Sequence, residues 1–277
     1  MCSRTGVQDM KAEINKIELN FEDEGEGTPI IFLHGFPFDR HLWVDQVNVL
    51  KEHCRVITPD LRGFGDSGAP EEVYSMNQYA ADIVTLMDIL NIEQAVIVGL
   101  SMGGYIALTI AEQYPERLLG LVLSNTHSAK DTAAKRQGRY NTAEKTNYDG
   151  IGFLVDDMLE KILAENTLKT KPDVVEYVKQ MMKRQRPSGV RGALKGMAER
   201  KDRTFVLSEI QAPTMVIAGE NDQLIPLIRS KAMAREVPHS HLEVISDAGH
   251  LSNLEQPELY NQVLLRFVDT FKTVESE

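Results

Sequence analysis

Residues 95–104, Ala-Val-Ile-Val-Gly-Leu-Ser-Met-Gly-Gly, pass from a strand-sized apolar stretch into two glycines, with one serine at the joint. An apolar run without alternation fits a strand buried on both faces. The stretch that follows, Met102–Gln113, is helical in length and stops before Pro115. A doubly buried strand that turns straight into a helix belongs to a parallel sheet, because parallel neighbours need a crossover that covers the sheet.

The same rhythm recurs along the chain. Short apolar strands are predicted at Pro29–Leu33, Cys54–Thr58, Leu118–Leu123, Pro213–Gly219 and Leu242–Ser246. Residues 12–22 show the looser alternation of one half-buried strand. Helices are predicted over His41–Glu52, from Ser75 to Ile89, over Leu227–Glu236 and over Pro257–Phe271. Ser75-Met-Asn-Gln78 has the pattern of a capping box. Between residues 125 and 205 the strands stop and amphipathic helices take over. The expected architecture is α/β: a mostly parallel sheet with helices on both faces, formed by 1–124 and 206–277. A helical cap, 125–205, is inserted between the two parts.

Composition narrows the partners. The net charge is −11, which disfavours nucleic acid and anionic membranes as partners. No apolar run approaches the roughly 20 residues that span a bilayer, and the polar first 30 residues lack a secretory h-region. The two cysteines, Cys2 and Cys54, make neither a disulfide framework nor metal-ligand spacing, so a reducing, cytoplasmic setting is expected and no metal. Oligomeric state, monomer or homodimer, is not legible.

In open parallel sheets, ligands bind beyond the carboxyl ends of the strands. Ser101 sits there, at the tip of a tight strand–helix turn flanked by Gly99 and Gly103, and at the positive end of the following helix. The position two after Gly99 is Ser101 rather than Gly, and no Gly-Lys-Ser/Thr follows, so neither phosphate-binding fingerprint applies. A serine hydroxyl needs a base, and the base an orienting acid. Asp222 and His250 follow the last two strands, in the order Ser, Asp, His. Glu220 and Asp247 are weaker rivals for the acid, and the position after the strand at 118–123 holds Asn125. The oxyanion donors expected are the backbone amides of Met102 and Phe36. His34 fits a structural role in the Phe36 loop. Gly63-Phe-Gly-Asp-Ser-Gly68 matches a dinucleotide fingerprint in letters only, because no helix pattern follows it.

These blocks resemble the α/β-hydrolase family: His34-Gly-Phe-Pro37, Asp60-Leu-Arg-Gly-Phe-Gly-Asp-Ser67, Gly99–Gly104, Gly219-Glu-Asn-Asp222 and Ala248-Gly-His250. Within it they look like the esterase and 3-oxoadipate enol-lactonase branch. The resemblance implies a Ser101–His250–Asp222 triad, a cap over the site, no cofactor, and a small-molecule ester or lactone as substrate. A triad-retaining receptor of small molecules is the alternative from another class. Pocket candidates in the insertion are His127, Met158, Met181 and Met197, the methionines serving equally well as cap core. Residues 183–203 carry eight basic side chains against two acidic ones. That run reads as a solvated helix face rather than as a clamp for a substrate carboxylate.

Overall fold

A computed structural model describes residues 10–272. Eight strands form one sheet in the order β1-β2-β4-β3-β5-β6-β7-β8. They are β1 (Met10–Ile14), β2 (Ile17–Glu24), β3 (Pro29–Leu33), β4 (Arg55–Pro59), β5 (Ala95–Leu100), β6 (Leu118–Ser124), β7 (Thr214–Gly219) and β8 (His241–Ile245). From β4 to β8 every neighbouring pair is parallel, whereas β1 and β2 pair antiparallel at one edge. The single strand expected over 12–22 is therefore two. The chain reverses at Asn15-Lys16, with φ of 44° and 70°, and Ile14 pairs with Ile17. A type I′ hairpin turn needs positive φ at both central positions. Asn15 signals that turn, but a lysine at the second position hides it.

Strand β5 shows why this sheet must be covered twice. Val96, Val98 and Leu100 enter one core, while Ala95 and Ile97 enter the other. The first core is closed by α1 (Val44–Leu50) and α11 (Pro257–Lys272), whose Tyr260, Val263, Leu264, Phe267, Val268 and Phe271 recur at helical spacing. The second is closed by α2 (Met76–Ile89) and α3 (Met102–Gln113), together with Met233 of α9 (Leu227–Glu236). At the start of α2, Ser75 Oγ accepts the Gln78 amide at 3.1 Å. The reciprocal half of the expected capping box is missing, because Gln78 Nε2 donates to Glu72 instead.

Between β6 and β7 lie five helices: α4 (Ala133–Asp149), α5 (Gly152–Ile162), α6 (Glu165–Thr170), α7 (Pro172–Lys183) and α8 (Pro187–Ala198). A short helix, α10 (Ser252–Glu255), precedes α11. The basic run of 183–203 differs from a solvated face. Arg184 pairs with buried Asp39, Arg186 donates to the Gly65 and Ser67 carbonyls, and Arg203, itself buried, meets Glu112 and Asn77. Gln185 adds a hydrogen bond from the Gly65 amide at 3.0 Å and donates to Asp39 at 2.7 Å. These residues stitch the helical insertion to loops of the sheet. Their partners come from sequence-distant segments, which a local charge pattern cannot reveal. Cys54 is buried, with its thiol donating to Leu50 O, and Cys2 lies outside the described residues. Among the described residues no helix is long and apolar enough to cross a membrane.

Candidate active site

The turn at Ser101 is strained, with φ of 55° and ψ of −110°. Non-glycine residues hold such angles only where the surroundings impose them. The surroundings are visible. The Ser101 amide donates to Ser124 O at 3.0 Å, and its carbonyl accepts from the Gly104 amide and from Thr126 Oγ1. Close approach of strand and helix does the rest. A Cβ on Gly99 would stand 2.4 Å from Gly103 O, and a Cβ on Gly103 would stand 2.1 Å from Leu33 O. Both positions therefore exclude any side chain.

His250 and Asp222 meet. His250 Nδ1 lies 2.8 Å from Asp222 Oδ2, and both side chains are almost fully buried. An ionised carboxylate only accepts, so Nδ1 carries the proton in the neutral ring and Nε2 is left as the basic nitrogen. Asp222 accepts three more hydrogen bonds, from the Leu224 and Ile225 amides and from Asn125 Nδ2, each at 2.9 Å. Burial pushes the Asp222 carboxyl up, but attraction to His250 and the hydrogen bonds outweigh it, and its pKa lies below the ordinary value. Glu220 and Asp247 sit apart and contact each other.

Asn125 does more than occupy a vacant strand end. It sits at φ 46°, accepts from Ser252 Oγ at 2.7 Å, and donates to both Asp222 and the Gly249 carbonyl. Glu255 is a second support that sequence reasoning missed. Its fully buried carboxylate accepts from the Gly249 and Ala164 amides and from Thr167 Oγ1. The His250 and Leu251 amides donate to Ile162 O, at the end of α5. The loop that carries His250 is thus fixed partly by the helical insertion.

Ser101, His250 and Phe36 open into a cavity of about 340 Å³, within the usual size for small-molecule sites. The Phe36 and Met102 amides have no hydrogen-bond partner among the described residues. Met158 and Met197 line the cavity together with Leu154, Leu194, Leu224 and Ile225. Met181 and His127 do not. Met181 is packed into the core with Val178 and Met182. His127 stands behind Tyr105, 3.2 Å from its hydroxyl, and burial followed by repulsion from Arg200 lowers its pKa to about 3. The face of α4, at Lys135, Gly138, Arg139 and Thr142, completes the wall; their i, i+3, i+4, i+7 spacing is one helical face. His34 is buried outright. It accepts the Leu61 amide on Nε2 and donates from Nδ1 to Gly35 O, and burial holds its pKa near 4. It is a neutral strut for the Phe36 loop. Residues 60–74 form a loop with no helix until Met76, so the glycine-rich segment cradles no helix N-terminus.

Residues 28–257 match the model of the alpha/beta hydrolase fold. The chain belongs to the α/β-hydrolase family. A 3-oxoadipate enol-lactonase of Acinetobacter baylyi is 27% identical over 250 residues, 90% of this chain and 92% of that protein. Among solved structures, a thermophilic esterase from Thermogutta terrifontis, with malate bound, superposes with a TM-score of 0.93 at 39% identity. The match covers 95% of this chain and 98% of that one. The enol-lactonase from Burkholderia xenovorans gives 0.88 at 25% identity, covering 94% and 100%.

Proposed function

We propose that this α/β-hydrolase is a serine hydrolase that cleaves carboxylic esters or lactones through an acyl-enzyme on Ser101. The observation that carries the reading is the His250–Asp222 hydrogen bond at 2.8 Å beside a cavity that also exposes Ser101. His250 Nε2 takes the Ser101 proton as Oγ attacks the substrate carbonyl, forming the tetrahedral intermediate. The unpartnered Phe36 and Met102 amides bind its oxyanion, aided by the positive end of α3. The intermediate collapses with cleavage of the ester bond, and the leaving oxygen receives the proton from His250. Water then gives a proton to Nε2 and attacks the acyl carbon; as the bond to Ser101 Oγ breaks, His250 returns that proton to Oγ and the acid is freed. Asp222 holds the Nδ1–H tautomer and stabilises the imidazolium throughout.

In this reading the helical segment 125–205 is a cap on the core formed by 1–124 and 206–277. It supplies the Met158, Leu154, Leu194 and α4 walls of the substrate cavity. The esterase and enol-lactonase likeness supports an acyl oxygen bond as the one cleaved. The test is turnover of p-nitrophenyl acetate by the wild type, Ser101→Ala and Asp222→Asn. Loss of about 10⁴-fold or more in Ser101→Ala, and a large loss in Asp222→Asn, is expected. Undiminished turnover in Ser101→Ala defeats the proposal.

A further inference from the structure

The cavity that exposes Ser101 opens to solvent along α4. Of the residues that line it, Lys135 and Gly138 are exposed, and the others are half-buried or buried. The exposed pair stands three residues apart on one face of α4 and marks the mouth. Lys135 carries a flexible stem that can swing aside. Gly138 has no side chain to move.

Gly138 also lacks the reasons that account for other glycines inside helices. A Cβ on Gly104 of α3 would stand 2.5 Å from Thr126 Oγ1. On α8, a Cβ would stand 1.7 Å from Gly63 O at Gly189, 2.5 Å from the Tyr74 ring at Gly192 and 1.7 Å from Tyr74 O at Gly196. Gly152 is the first residue of α5, where no preceding turn is weakened. Gly138 lies more than a turn inside α4 from either end, and a Cβ there would meet nothing within 4 Å. A glycine inside a helix loosens it relative to alanine, and no close approach offsets that loss here. What the missing side chain leaves is space at the mouth of the cavity.

The cavity itself is small. Its volume of about 340 Å³ lies near the lower end of the roughly 300–1,000 Å³ usual for small-molecule sites. Leu154, Leu194 and Met197 give it apolar walls. A short ester fits within such a volume, whereas a longer aliphatic chain has to leave by the mouth.

We propose that Gly138 is a specificity-determining residue: its bare backbone keeps a passage through which the aliphatic chain of the substrate, remote from the scissile carbonyl, extends out of the cavity. This rests on the hydrolase reading above. The chain belongs to the acyl or to the alcohol part of the ester, and the two arms of the experiment separate these.

The acyl arm compares 4-nitrophenyl octanoate with 4-nitrophenyl acetate, and the alcohol arm compares octyl acetate with ethyl acetate. In one arm, wild type is expected to cleave the long ester at least as well as the short one. In that arm the ratio of kcat/KM, long over short, is expected to fall about 10- to 100-fold in Gly138→Phe. Gln137→Phe adds the same bulk at an exposed position of α4 that does not line the cavity, and should leave the ratio as in wild type. Gly138→Ala should raise Tm by about 1–2 °C, because it restores helix propensity without a clash. A fall in Tm would show that the fold needs the glycine, and would overturn the proposal. Ratios unchanged by Gly138→Phe in both arms would also overturn it. A readout independent of turnover is calorimetric binding of the uncleavable ketone 2-decanone to Ser101→Ala, expected to weaken about tenfold or more when Gly138→Phe is added. If wild type cleaves none of the esters, the hydrolase reading falls while the ketone still decides the passage. If the esters are cleaved and neither the ratios nor ketone binding respond to Gly138→Phe, the passage alone falls.

Discussion

Replacing Gly103 by alanine should damage activity far more than stability. The added Cβ would stand 2.1 Å from Leu33 O and 2.7 Å from Leu33 C, both backbone atoms that cannot rotate away. A carbon normally approaches a carbonyl oxygen to about 3.3 Å, so α3 and the end of β3 must part by about 1 Å. That seam joins the two proposed oxyanion donors. The Met102 amide opens α3, and the Phe36 amide follows Leu33 by three residues. Misplacement of about 1 Å in a reacting geometry costs on the order of 10²-fold in rate. Overpacking costs about 1–3 kcal/mol. For 277 residues, at roughly 2.1 cal/mol/K each, the unfolding entropy is about 0.6 kcal/mol/K, so Tm falls by only about 2–5 °C. The assay is p-nitrophenyl acetate turnover beside calorimetric melting. Gly152→Ala is the control, because nothing lies within 4 Å of a Cβ there. Wild-type kcat in Gly103→Ala, with Tm unchanged, would refute the claim that this close approach sets the oxyanion site.

Three further outcomes follow from the hydrogen-bond network. Asn125→Ala removes a donor from Asp222 and another from Gly249 O, and kcat should fall about tenfold with little change in KM, measured by steady-state kinetics. Glu255→Gln places an N–H where the carboxylate accepts the Gly249 amide or the Ala164 amide and Thr167 hydroxyl; a loss of about 2–3 kcal/mol is expected, read as a Tm drop of about 3–5 °C. Arg184→Met tests the acid limb of stability. Burial pushes the Asp39 carboxyl up, but hydrogen bonds from His41 and Arg184 and their charges hold it below its ordinary value of 3.8. A depressed carboxyl stabilises the fold above the unfolded pKa and loses that contribution as pH falls through the folded one. Arg184 is half-exposed, so the wild-type advantage should be about 1 kcal/mol at pH 7 and should shrink below about pH 4 in thermal melts.

The framework of the sheet was legible because it is written locally. Ala95–Leu100 shows burial on both faces by its unbroken apolarity, and Pro115 marks where its helix must stop. Serine, aspartate and histidine could be ordered because each follows a recognisable strand. The hairpin at Asn15-Lys16 was not legible, since only its first residue advertises the turn. Nor were the supports of the site. Glu255 reads as one more charged residue before Pro257, and its three partners come from residues 164, 167 and 249. His127 and Met181 had the right chemistry for a pocket but face away from it: Met181 through the rotation of α7 and His127 through the path of the loop after β6, neither of which a local pattern records. Lys135 and Arg139 reach the cavity that exposes Ser101 only through the docking of α4, which no local pattern announces.

The most direct measurement of the central claim is covalent labelling with a fluorophosphonate, followed by intact mass and peptide mapping. One adduct per chain, on Ser101, abolished in Ser101→Ala and strongly slowed in His250→Ala, is the result the arrangement predicts. An adduct on any other residue, or labelling at an unchanged rate without the His250 imidazole, would contradict it.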